Sequence, residues 1–476
     1  MTTSHATTAE SIPSPIARLQ DLLDERQDAP VTNDFRAFEQ EVHSLVAAVE
    51  RDIIANELAR LDIDAPAVMV RGVLHKVVLR CTKTYLTRAG EVQVERSLYR
   101  AAGVSTAICP MEIRAGIVEG FWTPWAAMLA VWALAHLTAT ESAEWFARLG
   151  DMSPSRSILD RLPRALSARW EQDREDFEAS LRAVEVVPDK AKTVAISLDG
   201  IMVPMKEGGR QRKRAEAKAE GKETRGPAGY REASCGTISF YDGEGHRLES
   251  RAFGRMPQKK KEALKAMLAE ELSASLAQRP DLVVVGVADG AKDNWTYLDE
   301  VLPSGSVKVL DFFHAAEHLH RALEQAHGQG SAKAGSEFER LRHILRHEEF
   351  GVTRVIGALA YQARQHPRRK KLQGELKYFR RHSKKMNYAH LEAWGLPLGS
   401  GVVEAANKTL VTVRMKRSGA RWTVEGGQAI LTFRALCKGQ RFDRAWALLA
   451  QTYEQHVELP DNVIPIPTAW HGEPSV

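Results

Sequence analysis

The stretch Val194-Ala195-Ile196-Ser197-Leu198-Asp199-Gly200 decides how this chain is read. A nearly unbroken apolar run of this length fits a strand covered on both faces, and an acidic residue stands at its exit. Leu282-Val283-Val284-Val285-Gly286-Val287-Ala288-Asp289-Gly290 repeats the arrangement. Working outward, the first strand covers 193–199 and continues through Ile201-Met202-Val203-Pro204, and a polar loop follows over 206–231. Strands over 233–241 and 246–253 flank the turn Asp242-Gly243-Glu244-Gly245. A helix over 258–278, a strand over 281–288, a helix over 293–301 and a strand over 307–311 complete the segment.

Three antiparallel strands followed by helix-strand-helix-strand predict an α/β fold with a mixed sheet of three antiparallel and then two parallel strands. That is the ribonuclease H-like order. Beyond Asp311 the pattern turns helical, through Leu341, Leu345, Val355, Leu359, Leu372 and Leu376. It returns at Trp394-Gly395-Leu396-Pro397-Leu398-Gly399-Ser400-Gly401, just before a helix start that bears Glu404. The sequence thus predicts a core split between 191–312 and 396–440 by a helical insertion over 313–395, with a C-terminal tail over 441–476.

The amino-terminal region is expected to be mainly helical. Residues 1–34, rich in Thr, Ser, Ala and Pro, read as a poorly ordered start within a 1–65 segment that ends in a helix from Phe35 to about Leu61. A second helix is expected after Pro66, and Lys83–Arg96 alternates around Gly90 as a hairpin. Thr123-Pro124 opens an apolar helix too short to cross a bilayer. Thr138–Trp170 reads as helix, Gly150 turn, helix, the second beginning at Ser153-Pro154 and carrying Arg156 and Arg161. This fits a helix-turn-helix within a DNA-binding region over 66–190, and equally an ordinary helical hairpin with surface arginines.

Of the 476 residues, 44% are hydrophobic and 27% charged, ordinary for a globular chain of two or more domains. The net charge of +5 is unevenly placed. Residues 206–225 hold eight Lys/Arg against four Glu, and residues 364–385 hold ten against one. Such runs on an otherwise acidic body point to a polyanion, although either alone also fits a solvated surface. The four cysteines, Cys81, Cys109, Cys235 and Cys437, are far apart and lack zinc-finger spacing. With no signal-peptide layout and no membrane span expected, the chain reads as cytoplasmic.

An Asp-Gly pair at a strand end commonly makes only a turn, and a Glu near a helix start complements the helix dipole. Two such aspartates in one α/β segment, with Glu404 ahead of a basic stretch, fit another purpose. Carboxylates hold Mg²⁺ while leaving positions open to phosphate and water, the requirement of phosphoryl transfer. Asn407, Lys408, Arg414, Lys416, Arg417 and Arg421 could guide a phosphodiester backbone there, or form a solvated cationic helix end. Arg368, Arg369, Lys370, Lys371, Arg380 and Arg381 of the 364–385 run are further candidate DNA contacts.

Four segments carry a resemblance. They are Asp199-Gly200-Ile201-Met202-Val203-Pro204, Val287-Ala288-Asp289-Gly290-Ala291-Lys292-Asp293-Asn294-Trp295, Asp311-Phe312-Phe313-His314-Ala315-Ala316-Glu317-His318 and Gly399-Ser400-Gly401-Val402-Val403-Glu404-Ala405-Ala406-Asn407-Lys408. Together with Arg414-Met415-Lys416 and Gly419-Ala420-Arg421-Trp422, these resemble bacterial insertion-sequence transposases of the ISKra type, relatives of Mutator-like DDE enzymes. The likeness is strongest over 193–435. It implies a catalytic, metal-binding triad of Asp199, Asp289 and Glu404, and it matches Asp311 and His314 to an Asp/Cys-x-x-His element near the site. It further implies two Mg²⁺ ions, with Mn²⁺ as substitute, and double-stranded DNA, both element ends and target, as partner. Processing two ends together implies a homo-oligomer, at least a dimer.

Two alternatives stand beside this reading. One is a transposon-derived DNA-binding protein without cleavage activity. The other is a zinc protease built on the HxxEH pattern of His314, Glu317 and His318. His314 reads better as a structural or DNA-contacting residue than as a direct catalytic group. Trp295 and Trp422 could stack on bases, with core packing the expected role for Trp295. Trp122, Trp125, Trp132, Trp145 and Trp170 read as core or interface packing.

Overall fold

The structure, a computed structural model, describes residues 14–28, 34–150, 152–206, 210–221 and 229–460. Two compact units emerge, one from the chain up to Arg169 together with the segment from Trp446 on, the other from Trp170–Ala445. The strands among the described residues are β1 (Ala67–Val70), β2 (Val73–Thr87), β3 (Gly90–Ala101), β4 (Thr193–Pro204), β5 (Tyr230–Tyr241), β6 (Arg247–Arg255), β7 (Val283–Ala288), β8 (Val307–Leu310) and β9 (Val457–Glu458).

The first unit has more of its described residues in helices than in strands, as expected, but a sheet accompanies them. The sheet is four-stranded, in the order β3-β2-β1-β9. No helix follows Pro66; β1 and β2 occupy that stretch as an antiparallel hairpin. Arg71 and Gly72 both take positive φ, 51° and 73°, the requirement of a two-residue turn between twisted strands. The flanking valines suit a pleated surface better than a helix. The β2–β3 hairpin closes where the sequence places it, at Thr87 opposite Gly90.

Helices cover Pro15–Asp28, within the stretch expected to be poorly ordered, and Phe35–Arg60. The apolar Pro124–His136 helix buries its alanines, Val131 and Leu134. Trp122 and Trp170 are buried in the core, whereas Trp125, Trp132 and Trp145 are exposed and do not belong to it. Ala139–Leu149 starts with a capping box, Thr138 with Glu141, and stops at Gly150 with φ of 78°; Arg156–Gln172 follows. The expected tail also has structure. A helix spans Phe442–Gln451, and β9 pairs antiparallel with β1. The expected disordered start over 1–13 and the tail beyond 460 lie outside the described residues.

In the second unit, the sheet order is β6-β5-β4-β7-β8. β4 pairs antiparallel with β5, β5 antiparallel with β6, and β7 runs parallel to both β4 and β8. Three antiparallel strands and two parallel ones therefore stand where the sequence places them. Val194, Ile196 and Leu198 on β4 and Val285 and Val287 on β7 are fully or almost fully buried, as their unbroken apolar runs require. Within the expected 206–231 loop, Arg210–Ala219 is a helix; 207–209 and 222–228 of the basic 206–225 run fall outside the described residues.

Five helices fill the insertion: Phe312–His327, Ala332–His347, Gly351–Gln365, Lys370–His382 and Tyr388–Ala393. Leu341, Leu345, Val355, Leu359, Leu372 and Leu376 join the same hydrophobic cluster as Val194, Ile196, Val285 and Leu310. The insertion is continuous with the sheet's core, which fixes the direction in which the chain returns. That return sets Leu398 beside the end of β8, where its carbonyl accepts from the Phe312 N–H at 3.0 Å. No described helix is long and apolar enough to cross a membrane.

Candidate active site

Parallel pairing of β4 with β7, and of β7 with β8, brings Asp199, within β4, to the end of the sheet where β7 and β8 exit. Ser197 pairs with Val287, so Asp199 and Asp289, each two residues further on, stand at equivalent levels. Asp311 follows β8 directly, its backbone N–H donating to the Ala288 carbonyl at 2.9 Å. The carboxyl ends of parallel strands are where α/β sheets gather ligands.

Asp311 is fully buried and accepts from two directions. As N-cap of the Phe312–His327 helix, its Oδ1 accepts the His314 N–H at 2.7 Å. Its Oδ2 accepts the Ser400 backbone N–H, and the Ser400 hydroxyl at 2.7 Å. The Ser400 hydroxyl also lies 3.0 Å from Glu404 Oε1. Ser400 precedes the Gly401–Ala406 helix, so its tie to Asp311 sets the position of Glu404. Gly399 permits the approach: a Cβ there would sit 3.2 Å from both Asp311 Oδ2 and the Phe313 ring.

Asp311, His314 and Glu404 each offer a ligand atom within 4.8 Å of the others. The compact ligand group among the described residues is therefore not the expected Asp199, Asp289 and Glu404 set. The staple through Ser400 draws Glu404 toward β8. Asp311 itself is a poor candidate ligand, because it is fully buried and its two oxygens already take three donors.

A second tie joins the Glu404 segment to β4. The helix widens into a π-helical stretch over Asn407–Thr412, and Asn407 Nδ2 donates to Asp199 Oδ2 at 2.7 Å. Such stretches recur at functional sites. Asn407 was expected on DNA; it is instead 5% exposed and turned inward. On the β7 side, Asn294 Nδ2 donates to Asp289 Oδ1 at 3.0 Å, and the Ala291 N–H reaches the same oxygen at 3.0 Å. Trp295 is buried as expected, its Nε1 donating to the Asp289 carbonyl at 2.6 Å.

Electrostatics follow from this crowding. Burial raises the Asp199 pKa above the ordinary carboxylate range, and the Asp289 charge adds to the rise against the Gly200 N–H. For Asp311, burial pushes upward, but its hydrogen bonds from His314 and Ser400 outweigh it and lower the pKa. The Asp311 carboxylate raises His314 to about 9, with Asp289 and Glu317 adding to the rise against burial. His314 thus carries a positive charge at neutral pH, between acids that would otherwise repel.

Residues of the HxxEH pattern part company. His314 faces Asp311, whereas His318 Nδ1 lies 2.5 Å from Glu375 Oε2 and its ring stacks on Tyr378 at 3.6 Å. Glu317 is exposed and lies 3.7 Å from Arg321. A shared zinc site is not assembled by this arrangement.

The candidate DNA contacts divide as well. Lys408, Lys416 and Arg421 are exposed and Arg417 half-buried, but Arg414 is 5% exposed, its guanidinium 5.3 Å from the Trp422 ring. Trp422, half-buried, in turn donates to the Met415 carbonyl at 2.9 Å, so Arg414 is turned inward against it. The expected basic helix ends at Met415, which is why Arg414 packs inward while Lys416 and Arg421 do not. Arg368, Lys370, Lys371, Arg380 and Arg381 are exposed on or beside the Lys370–His382 helix. Arg369 instead donates to the carbonyls of Gln325 and Ala326, capping the Phe312–His327 helix. Arg156 and Arg161 are exposed on their helix.

A cavity of about 670 Å³ lies against the Val402, Ala405 and Thr409 side of the Glu404 segment, with Arg247, Lys438 and Arg444 also lining it. Its size does not make it the site: the acids gather at the strand ends, and Asp199, Asp289, Asp311 and Glu404 do not line it.

Asn294 and Ser400 are the two site residues that the sequence did not single out. Asn294 has a signal, lying five residues after Asp289 at the start of the next helix. Ser400 has only its place four residues before Glu404.

No protein-family model matches this chain, and no curated relative does. Among solved structures, the Drosophila P element transposase strand transfer complex is similar at a TM-score of 0.35 and 12% identity, covering 67% of this chain and 92% of that one.

Proposed function

We propose that this protein is a DNA transposase of the DDE kind, with a ribonuclease H-like core and kinship to the ISKra-type insertion-sequence enzymes. One observation carries the reading. Segments remote in sequence, with Asp199 within β4, Asp289 after β7, Asp311 after β8 and Glu404 on its own helix, meet at one end of a mixed sheet. The Asn407–Asp199 and Ser400–Asp311 hydrogen bonds tie the Glu404 segment to β4 and β8. The strand order supports the fold assignment.

The donor set fits a hard divalent cation. Asp289 receives its side-chain contacts on Oδ1, Glu404 receives Ser400 on Oε1, and the groups are carboxylates rather than thiols. Asp199, Asp289 and Glu404 would hold Mg²⁺, which when bound supplies charge stabilisation for phosphoryl transfer. The protein's own part is to place the acids, to keep Asp199 and Asp289 apart, and to hold the protonated His314 beside them. Lys416 and Arg421, together with the Lys370–His382 helix, supply exposed cations for the DNA backbone. Arg156 and Arg161 are candidate contacts of the first unit. A homo-oligomer acting on two ends belongs to the same reading.

The test uses a supercoiled plasmid carrying the genomic segment that encodes this chain with its flanks. Wild-type protein with Mg²⁺ should nick or cut at the segment's boundaries. Asp289→Asn should abolish cutting while retaining binding to the same DNA. Undiminished cutting by the variant removes the triad. DNA binding without cutting by the wild type, across Mg²⁺ and Mn²⁺, leaves a DNA-binding protein in its place.

A further inference from the structure

Two asparagines make the same unusual contact. Asn407 gives its Nδ2 to Asp199, and Asn294 gives its Nδ2 to Asp289. Both are buried, at 5% and 2% exposure. In both, the amide oxygen Oδ1 is buried without a hydrogen-bond partner. A buried acceptor left unmade costs about 1–3 kcal/mol, which offsets most of what the donated bond to a carboxylate contributes, so stability gives little reason to keep an amide at either place. The orientation is nevertheless fixed by chemistry: turning either amide over would set its oxygen against a carboxylate.

We infer that Asn294 and Asn407 are positioning residues. Each donates to one carboxylate oxygen of the proposed metal pair. Asp289 Oδ2 takes neither donor, and on Asp199, whose Oδ1 accepts the Gly200 N–H at 2.7 Å, each oxygen keeps a lone pair for a divalent cation. The inference rests on the reading given under Proposed function. Local geometry shows how the clamp is built. Asn294 lies in the first turn of the Lys292–Val301 helix, whose start at Ala291 also donates to Asp289 Oδ1, so both donors converge on one oxygen and neither uses Oδ2. Asn407 opens the π-helical stretch, three residues beyond Glu404, so its reach to Asp199 ties the spacing of one acid to another.

An acid at either position would add a like charge beside Asp199 or Asp289, and when ionised would have no proton to donate. A hydroxyl would lack the reach. The amide is the group that can donate to a carboxylate at neutral pH without adding charge, and the stranded oxygen is its structural cost.

The experiment separates positioning from packing. Mn²⁺ affinity of the full-length protein is measured by electron paramagnetic resonance without DNA, for wild type, Asp289→Asn, Asn294→Leu and Asn407→Leu. Leucine has nearly the shape of asparagine and removes the stranded oxygen, so the unfolding midpoint should stay within about 3 °C of wild type or rise. The Mn²⁺ dissociation constant should nevertheless rise about 10–100-fold, the usual effect of losing a group that orients a metal ligand. In cleavage assays the apparent Mg²⁺ requirement should rise similarly while the rate at saturating Mg²⁺ largely recovers. Asn294→Ser and Asn407→Ser serve if a leucine variant fails to fold.

Folded asparagine variants that bind Mn²⁺ as wild type does, while Asp289→Asn does not bind it, overturn this inference and leave the functional reading intact. Wild-type protein that binds no Mn²⁺, or an Asp289→Asn variant that binds it normally, overturns both.

Discussion

Ser400 stands 89 residues after Asp311, yet its backbone N–H and its hydroxyl both meet the same Asp311 oxygen. The hydroxyl has one proton, so at any moment it donates to Asp311 or to Glu404 and not to both. Replacing Asp311 with Ala should cost about 2–4 kcal/mol, because buried donors of Ser400 and His314 lose a charged acceptor. It should also free the Glu404 segment and abolish cleavage. Chemical denaturation beside an end-cutting assay reads both effects; a variant of unchanged stability would show that the staple does not hold.

Glu178 gives a prediction in pH. It is buried among Arg441, Glu271 and Glu185, and burial raises its pKa to about 7 from an ordinary 4.5. Between those values the folded protein binds the proton more tightly than the unfolded chain. Stability from this group is therefore complete below about pH 4.5 and is lost as pH rises to about 7. Glu178→Gln should flatten that slope, by at most about 3 kcal/mol across the window. Urea unfolding of both proteins at pH 5 to pH 8, taken as a difference at each pH, isolates the effect, and parallel curves would refute it.

Salt dependence tests the insertion's basic helix. Replacing Lys370, Lys371, Arg380 and Arg381 together with Gln should reduce the slope of log K against log salt by about 3–4, if each neutralises one phosphate. Filter binding to duplex DNA at several salt concentrations measures it. Arg369→Gln should act differently, lowering thermal stability through the lost helix cap with little change in slope.

Arg414 and Lys416 make a contrasting pair. Arg414→Ala should cost about 2 kcal/mol of stability, since it removes a buried side chain packed on Trp422. Lys416→Gln should leave stability within about 0.5 kcal/mol and weaken DNA binding instead. The reverse pattern, in calorimetry and binding side by side, would mean that their placement is wrong.

The sheet of the second unit was legible because β4 and β7 are covered on both faces and so read as unbroken apolar runs. Its hairpin turn Asp242–Gly245 carries its own signal. The β1–β2 hairpin was missed because its turn, Arg71-Gly72, looks like an ordinary surface dipeptide; only the backbone shows that both residues take positive φ. At the site, the aspartates were legible from the apolar runs that end in them. Asn407 and Arg414 were misread as DNA contacts because a polar residue in a basic stretch gives no sign of which way it faces. The π-helical widening after Glu404 decides that for Asn407, and the end of the helix at Met415 decides it for Arg414. Ser400 was invisible for a further reason: its partner lies across the whole insertion.

Because the staple grips the insertion at its two ends, what lies between them is under little obligation to the chemistry. Segments could be added between these helices over evolutionary time, and the acids would still meet, provided the leucines shared with the sheet's core are kept and the entry at Asp311 and the exit at Ser400 stay fastened. The interval between second aspartate and glutamate should therefore be the most elastic dimension of such proteins, and the short motifs at its borders the least.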